Sequence, residues 1–484
     1  MNYRSCLKNV LSVAVLISVL AGCSGGVSQT GSQDTASSEV AADSSASAVS
    51  ESAGSTVKML TAVTGGKDAE GMKVFEKELS KETGLSVVME KPADYDKTLI
   101  QKLQSGEQYD LIYLGMNQYL SLIDQGSLTD LTSFIKNSPA FASDKVDPQE
   151  IKDITVDGKI YAGFNKKEVE RVVALNRIQL EKAKIDYKTI EPTLDGYYKT
   201  FQALKASNTA SDYYPLNCVL STVFDIQPWM ASAGLKGGVV TDDKDGKTYV
   251  PYSTDAAASV WDWLHKLYSE KLLDPACFVD KTTDMRKKMG AASQKTGCTV
   301  DWAAWVGLHN AQALASGVDS KDYEIVSTPG TKSADGAYML TKGGASLWGI
   351  PANAKNPEGA EKILEFFASQ KGGELLSIGV PGYDYTVESG KYKFTEIGKQ
   401  AGGDHGAPVP ILTNFKDPIG YNPGMEEALG YLKYASIEKP IANESDYEEV
   451  VGKWGTQIVK GEVSAKDGLA KMRTELISRN VCQK

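Results

Sequence analysis

From Thr56 onward, apolar positions follow two periods in turn. Val57 to Val63 is a short β-like run. Lys67 to Lys81 puts Met72, Phe75 and Leu79 on one helical face, with Gly84 just past the end. Leu85 to Met89 reads as a second strand. Tyr95 to Gln104 reads as a second helix, with Tyr95, Leu99 and Leu103 four apart, and Tyr109 to Leu114 as a third strand. This alternation predicts βαβ units and a parallel sheet. Ligands of such sheets sit beyond the carboxyl ends of the strands. That rule selects Thr64-Gly65-Gly66 after the first strand and Gly115-Met116-Asn117 after the third. Gly65, Gly66, Tyr113 and Asn117 are therefore candidate ligand-facing residues.

The middle of the chain is mainly helical by pattern, over 176–207 and 254–273. Between them, residues 239–250 read as a hairpin with an Asp245-Gly246 turn. A calcium loop is the sharper reading of this acidic stretch. Aligned on Gly246, however, Thr241 and Tyr252 fall where an EF-hand needs Asp and Glu. Ala345 to Ile350 is a strand. Asn356 and Pro357 then suit the N-cap and first position of a helix that buries Ala360, Ile363, Leu364 and Phe367. From Asp446 two helices follow, split at Gly461, with Ser464 and Asp467 capping the second.

The segment before Thr56 has a different character. Arg4 and Lys8 precede a mostly apolar stretch from Val10 to Leu20, too short to span a bilayer comfortably. It ends in Leu20-Ala21-Gly22-Cys23, which resembles the bacterial lipobox. There the cysteine is lipidated and becomes the new first residue. Residues 1–22 are thus a lipoprotein signal peptide, and 23–56 a lipidated Cys23 with a disordered tether rich in Ser, Ala and Gly. A flexible coil of that length spans roughly 30 Å. Gly22 to Gly26 fits GxSxG literally, but it lacks the strand and helix that a nucleophile elbow requires.

Composition narrows the function. The 484 residues are 42% hydrophobic and 24% charged, ordinary values for a soluble globular chain of more than one domain. The formal charge of −10 argues against a nucleic-acid partner. Three histidines, His265, His309 and His405, lie far apart, so no metal site and no cofactor are expected. Cys218, Cys277, Cys298 and Cys482 remain after processing, without CxxC spacing. Export would permit a disulfide, and buried free thiols are the alternative.

Four stretches resemble the extracellular solute-binding family 1 of ABC importers, which includes maltose- and oligosaccharide-binding proteins. Gly158 to Phe164 with Ala174 to Arg177 is similar to the family's GKxYGxP…xYNK crossover. Gly297 to Trp305 is similar to GxxAMxxxGxW, Leu347 to Phe367 to xAIPKxSKNPEAAxKFLxFL, and Tyr447 to Ile477 to the family's C-terminal ending. Gly379 to Thr386 resembles the GxxGxxYT stretch of a LipO-like branch. The chain departs from the pattern twice: Gly163-Phe164 lacks the usual proline, and Thr299-Val300-Asp301 replaces Ala-Met.

The resemblance implies an α/β, two-lobed, periplasmic-binding-protein-like (type II) fold. Each lobe would hold a mixed or parallel sheet flanked by helices, with a hinged cleft between them. Lobe 1 would be 57–165 plus 330–380, and lobe 2 would be 166–329 plus 381–484. The implied function is capture of a sugar or oligosaccharide, without catalysis, by a lipid-anchored monomer on the extracellular face of the bacterial membrane. An ABC permease would be the partner. Sugar rings need aromatic platforms beside polar groups, which selects Trp229, Asp301, Trp302, Trp305, Trp348 and Tyr383. Trp454 is expected in the core, with at least one of Trp261 and Trp263. Two alternatives are weighed. Asp301 in the cleft would suit a polyamine or other cation, and the many carboxylates would allow a secreted glycoside hydrolase.

Overall fold

A computed structural model describes residues 56–164, 166–167, 169–221, 223–342, 346–437, 441 and 443–484. The signal peptide, Cys23 and almost all of the tether lie outside the described residues, as does Ala345.

The strands are β1 (Thr56–Leu60), β2 (Ser86–Glu90), β3 (Leu111–Leu114), β4 (Ala162–Phe164), β5 (Val169–Glu170), β6 (Val172–Asn176), β7 (Tyr214–Asn217), β8 (Val240–Thr241) and β9 (Thr248–Tyr249). They continue with β10 (Thr296–Asp301), β11 (Ile325–Thr328), β12 (Leu340–Lys342), β13 (Leu347–Gly349), β14 (Tyr385–Glu388), β15 (Lys391–Phe394) and β16 (Ala435–Ile437).

The first sheet has the order β2-β1-β3-β13-β4. β1 runs parallel to β2 and β3, while β13 inserts antiparallel between β3 and β4. Val57, Met59 and Leu60 are wholly buried because β1 is covered on both faces. Helices α1 (Ala69–Thr83), α2 (Tyr95–Gln104) and α3 (Met116–Asp124) connect these strands. Phe75 and Leu79 of α1 and Leu99 of α2 enter the same core. The helix Pro357–Phe367 adds Ala360, Ile363, Leu364 and Phe367, the four residues its periodicity selects. Burial of Ile363, Leu364 and Phe367 contributes about 2 kcal/mol each.

The second sheet has the order β11-β6-β10-β7, with β10 antiparallel to β6 and parallel to β7. All five residues of β6 are buried, the mark of a strand covered on both faces. Its core takes in Trp229, Trp261 and Trp263. It also takes in the terminal helices Glu444–Lys460 and Ala465–Ser478. Ser464 caps the last helix, as its spacing predicts. The hairpin reading of 239–250 matches β8 and β9, which pair antiparallel.

A small third sheet, β16-β12-β5, lies between the two along the chain. β5 sits between β4 of the first sheet and β6 of the second. β12 sits between β11 and β13, so the chain passes through this sheet in both directions. Residues 401–411 return to the first core through Ala407 and Ile411. All four described cysteines are buried free thiols. Among the described residues, no helix is long and apolar enough to cross a membrane.

Candidate functional site

The loop after β1 is held from below. Thr64 N–H donates to Thr61 Oγ1 at 3.0 Å, and Gly65 N–H donates to His405 O at 3.0 Å. Gly65 has φ +108°, a conformation that L side chains rarely adopt. A Cβ on Gly66 would lie 2.0 Å from the Gly71 carbonyl carbon, so Gly66 lets the loop press against α1. Lys91, directly after β2, donates to Val63 O at 3.2 Å and Gly66 O at 3.4 Å. The ends of two neighbouring parallel strands thus form one wall.

The 404–406 turn completes that wall. Lys67 Nζ lies 3.8 Å from Asp404 Oδ2. Burial pushes the Asp404 carboxyl up, but Lys67, then Lys166 and the Gly406 N–H, outweigh it and hold it below its usual range. Burial first, and Lys67 second, hold the Lys91 ammonium below the usual lysine range. Beneath the turn, His405 is buried between Ser377 O, 3.1 Å from Nδ1, and Asp384 Oδ2, 3.2 Å from Nε2. Both ring nitrogens of His405 are thus held against oxygen atoms, which fixes the ring beneath the turn. Tyr383 is half-buried beside this pair and rests on the first core.

A second wall grows from the carboxyl end of β10. Asp301 is buried and accepts two bonds from Arg286, 2.8 Å from Nε and 2.6 Å from Nη2. A third comes from Trp302 N–H at 2.8 Å. The Arg286 guanidinium also stacks 3.8 Å from the Trp305 ring centre. Trp302 and Trp305 are both half-buried. Lys166 Nζ lies 4.8 Å from the Trp302 ring centre and also acts on Asp404. Lys166 thus lies against Trp302 and contributes to the charge felt by Asp404.

Of the expected site residues, Gly65, Gly66 and Tyr383 lie at the first wall, and Asp301, Trp302 and Trp305 lie at the end of β10, with Lys166 against Trp302. Tyr113 and Asn117 lie further along the same strand ends. Tyr113 is half-buried and its hydroxyl bonds Ser346 Oγ at 2.5 Å, while Asn117 donates to Glu444 at the start of a terminal helix. Two expectations are corrected. Trp229 is fully buried against Tyr197, 4.9 Å between ring centres, and Trp263, 5.3 Å. Trp348 is fully buried in β13 beside Tyr113 and Phe367. Both rings lie inside a core because a strand or short helix between two layers has no open face. Trp454 is corrected the other way: it is half-buried and donates to Glu475 at 2.8 Å.

Sequence reasoning missed Lys67, Lys91, Lys166, Arg286 and Asp404. Lys67 and Lys91 carried a usable signal, since each follows a parallel strand within a few residues. Asp404 and Arg286 carried none, because their neighbours at the site are distant in sequence.

Comparison with known proteins comes from two directions. Residues 73–379 match a family model described as bacterial extracellular solute-binding protein. Among solved structures, maltose-bound MalE3 of T. maritima is similar over 88% of this chain and 99% of its own, at TM-score 0.66 and 17% identity. An ABC substrate-binding protein from Listeria monocytogenes, in complex with cycloalternan, covers 88% and 98% at TM-score 0.63 and 14% identity. The alginate-binding protein AlgQ2 covers 88% and 95% at TM-score 0.63 and 17% identity. The fold is thus the two-lobed, periplasmic-binding-protein-like one. No curated protein matches the sequence.

Proposed function

This chain belongs to the bacterial extracellular solute-binding proteins, and from that premise we propose that it captures a carbohydrate, an oligosaccharide, in a cleft between its two lobes. The proposal divides the chain nearly as the motifs do, with 57–165 plus 330–380 in one lobe and 166–329 with the terminal helices in the other; Tyr383 and residues 401–411, which the motifs put in the second lobe, belong with the first because they pack on its core. The β16-β12-β5 sheet acts as the hinge. Cys23 carries the lipid, the body sits as a monomer on the extracellular face, and an ABC permease receives the solute. No catalytic step belongs to this reading.

The observation that carries it is Trp302. The ring stands half-buried at the end of β10, with Lys166 Nζ 4.8 Å from its centre. A flat ring beside charged and amide groups suits the C–H face and polar rim of a sugar. Solved structures with bound maltose and cycloalternan share the fold and support the ligand class. Asp301, the ground for a cationic solute, is already neutralised by Arg286, so that alternative loses its motive.

Thermal melting against an oligosaccharide array tests the reading. A bound class raises stability by RT ln(1 + [L]/Kd), about 2.7 kcal/mol at a hundredfold excess. Trp302→Ala is expected to abolish the shift while leaving the ligand-free melt near that of the parent. A shift with polyamines alone, kept in Trp302→Ala, would sink the carbohydrate assignment.

A further inference from the structure

We propose that the solute is an acidic saccharide, bearing carboxylate or sulfate groups, and that Lys91 and Lys67 receive its anionic group. This rests on the carbohydrate reading above and names the class of sugar.

β1 and β2 pair in parallel register, Leu60 opposite Glu90, so the residues that follow them emerge side by side. Lys67 and Lys91 are two of those residues. Lys91 is half-buried and donates to the carbonyls of Val63 and Gly66, both in the glycine loop. An ammonium has three donors, so a third remains for a ligand. Among the described residues, no carboxylate lies within ion-pair distance of Lys91. Lys67 has Asp404 alone, at 3.8 Å. Asp404 is in turn shared with Lys166 and the Gly406 N–H. Asp404 thus faces more than one ammonium group at this wall.

At the other wall the two buried carboxylates Asp301 and Asp225 are already engaged. Asp301 is closed by two Arg286 bonds, and Asp225 accepts Val219 N–H at 2.9 Å with Arg171 Nε 3.6 Å away. A half-buried ammonium with no carboxylate within ion-pair distance is unfavourable. An anionic ligand group relieves it through charge-assisted bonds, which are shorter and stronger than neutral ones. The chain as a whole is acidic, at −10, so this local surplus of cations is not a general property of its surface. A neutral sugar gives no reason for it.

The test titrates the purified protein with matched neutral, uronate-containing and sulfated oligosaccharides, read by tryptophan fluorescence. An acidic member is expected to bind at least about tenfold tighter than its neutral counterpart, equivalent to about 1.4 kcal/mol. That preference should shrink as salt rises. Lys91→Gln and Lys67→Gln should each remove most of it, and Lys91→Arg should restore it, which separates charge from folding. The uronate and sulfate arms identify the anion. Equal or tighter binding of a neutral oligosaccharide, unchanged in Lys91→Gln, overturns the acidic assignment and leaves the carbohydrate reading standing. Binding by no oligosaccharide of any kind overturns both.

Discussion

His309 shows how one buried side chain ties the site to pH. It lies one turn after Trp305, with ring centres 5.4 Å apart. It is buried, and neither ring nitrogen has a hydrogen-bond partner among the described residues. Burial pulls its pKa from 6.5 down to about 4; the Asp301 charge opposes this and Arg286 adds to it. The unfolded chain therefore binds more protons between those values. The contribution to stability is complete above about pH 6.5 and is lost as pH falls toward 4. Asp225, pushed up to about 6 by its burial, acts with the opposite sign over part of that range. The comparison is thus between parent and His309→Phe at each pH. The variant should lose stability less steeply, by up to about 1.4 kcal/mol per pH unit. Parallel denaturation curves across pH 4–7 would remove His309 from the account.

The turn that includes the Gly379 to Thr386 motif gains a physical role from its packing. Gly379 has φ +88°, and a Cβ there would lie 2.3 Å from Asp384 Oδ2 and 2.5 Å from His405 Cε1. Asp384 also accepts Val380 N–H at 2.8 Å. The glycine thus makes room for a buried Asp–His pair, and His405 O then accepts the Gly65 N–H. A motif far from the glycine loop in sequence sets the position of that loop. Gly379→Ala combines a strained backbone with overpacking, and should destabilise by about 2–4 kcal/mol. Affinity should fall with it in the same titration. A variant with parental melting would mean that the turn relaxes at little cost.

Two sheets with separate cores, joined through β5 and β12, give the molecule a natural axis of bending. Asn117, beside the first core, donates to Glu444, whose helix packs in the second. Burial pushes the Glu444 carboxyl up, and Asn117 partly offsets this. On the proposed hinge reading, a contact of this kind would bias an open–closed equilibrium without touching the solute. If the closed form binds, removing the contact lowers apparent affinity in proportion to the competent fraction. Glu444→Ala should increase the ligand-free radius of gyration by small-angle scattering. It should also weaken binding severalfold, the effect of a net hydrogen bond of about 1 kcal/mol. Unchanged scattering and affinity would show that the two bodies are not held by this pair.

Local pattern was enough for the elements that bury a single face. α1, α2 and the Pro357–Phe367 helix lie where periodicity and caps put them, because 3.6-residue spacing and an Asn-Pro start act within one segment. The rule of strand carboxyl ends likewise reached Gly65, since a sheet's polarity follows from its own connections. Trp229 and Trp348 could not be sorted from Trp302 in the same way. All three are aromatic residues in mixed surroundings, and only the layers packed over them decide which ring keeps an open face. The charge of the site was equally hidden. Asp301 looks like an acid in a cleft until Arg286 folds onto it, and Lys91 is an ordinary lysine until β1 brings Lys67 beside it. Composition sums charges along the chain, whereas recognition depends on which of them share a few ångströms. That sharing is set by strand order and by the return of residues 404–406, which only the tertiary structure supplies.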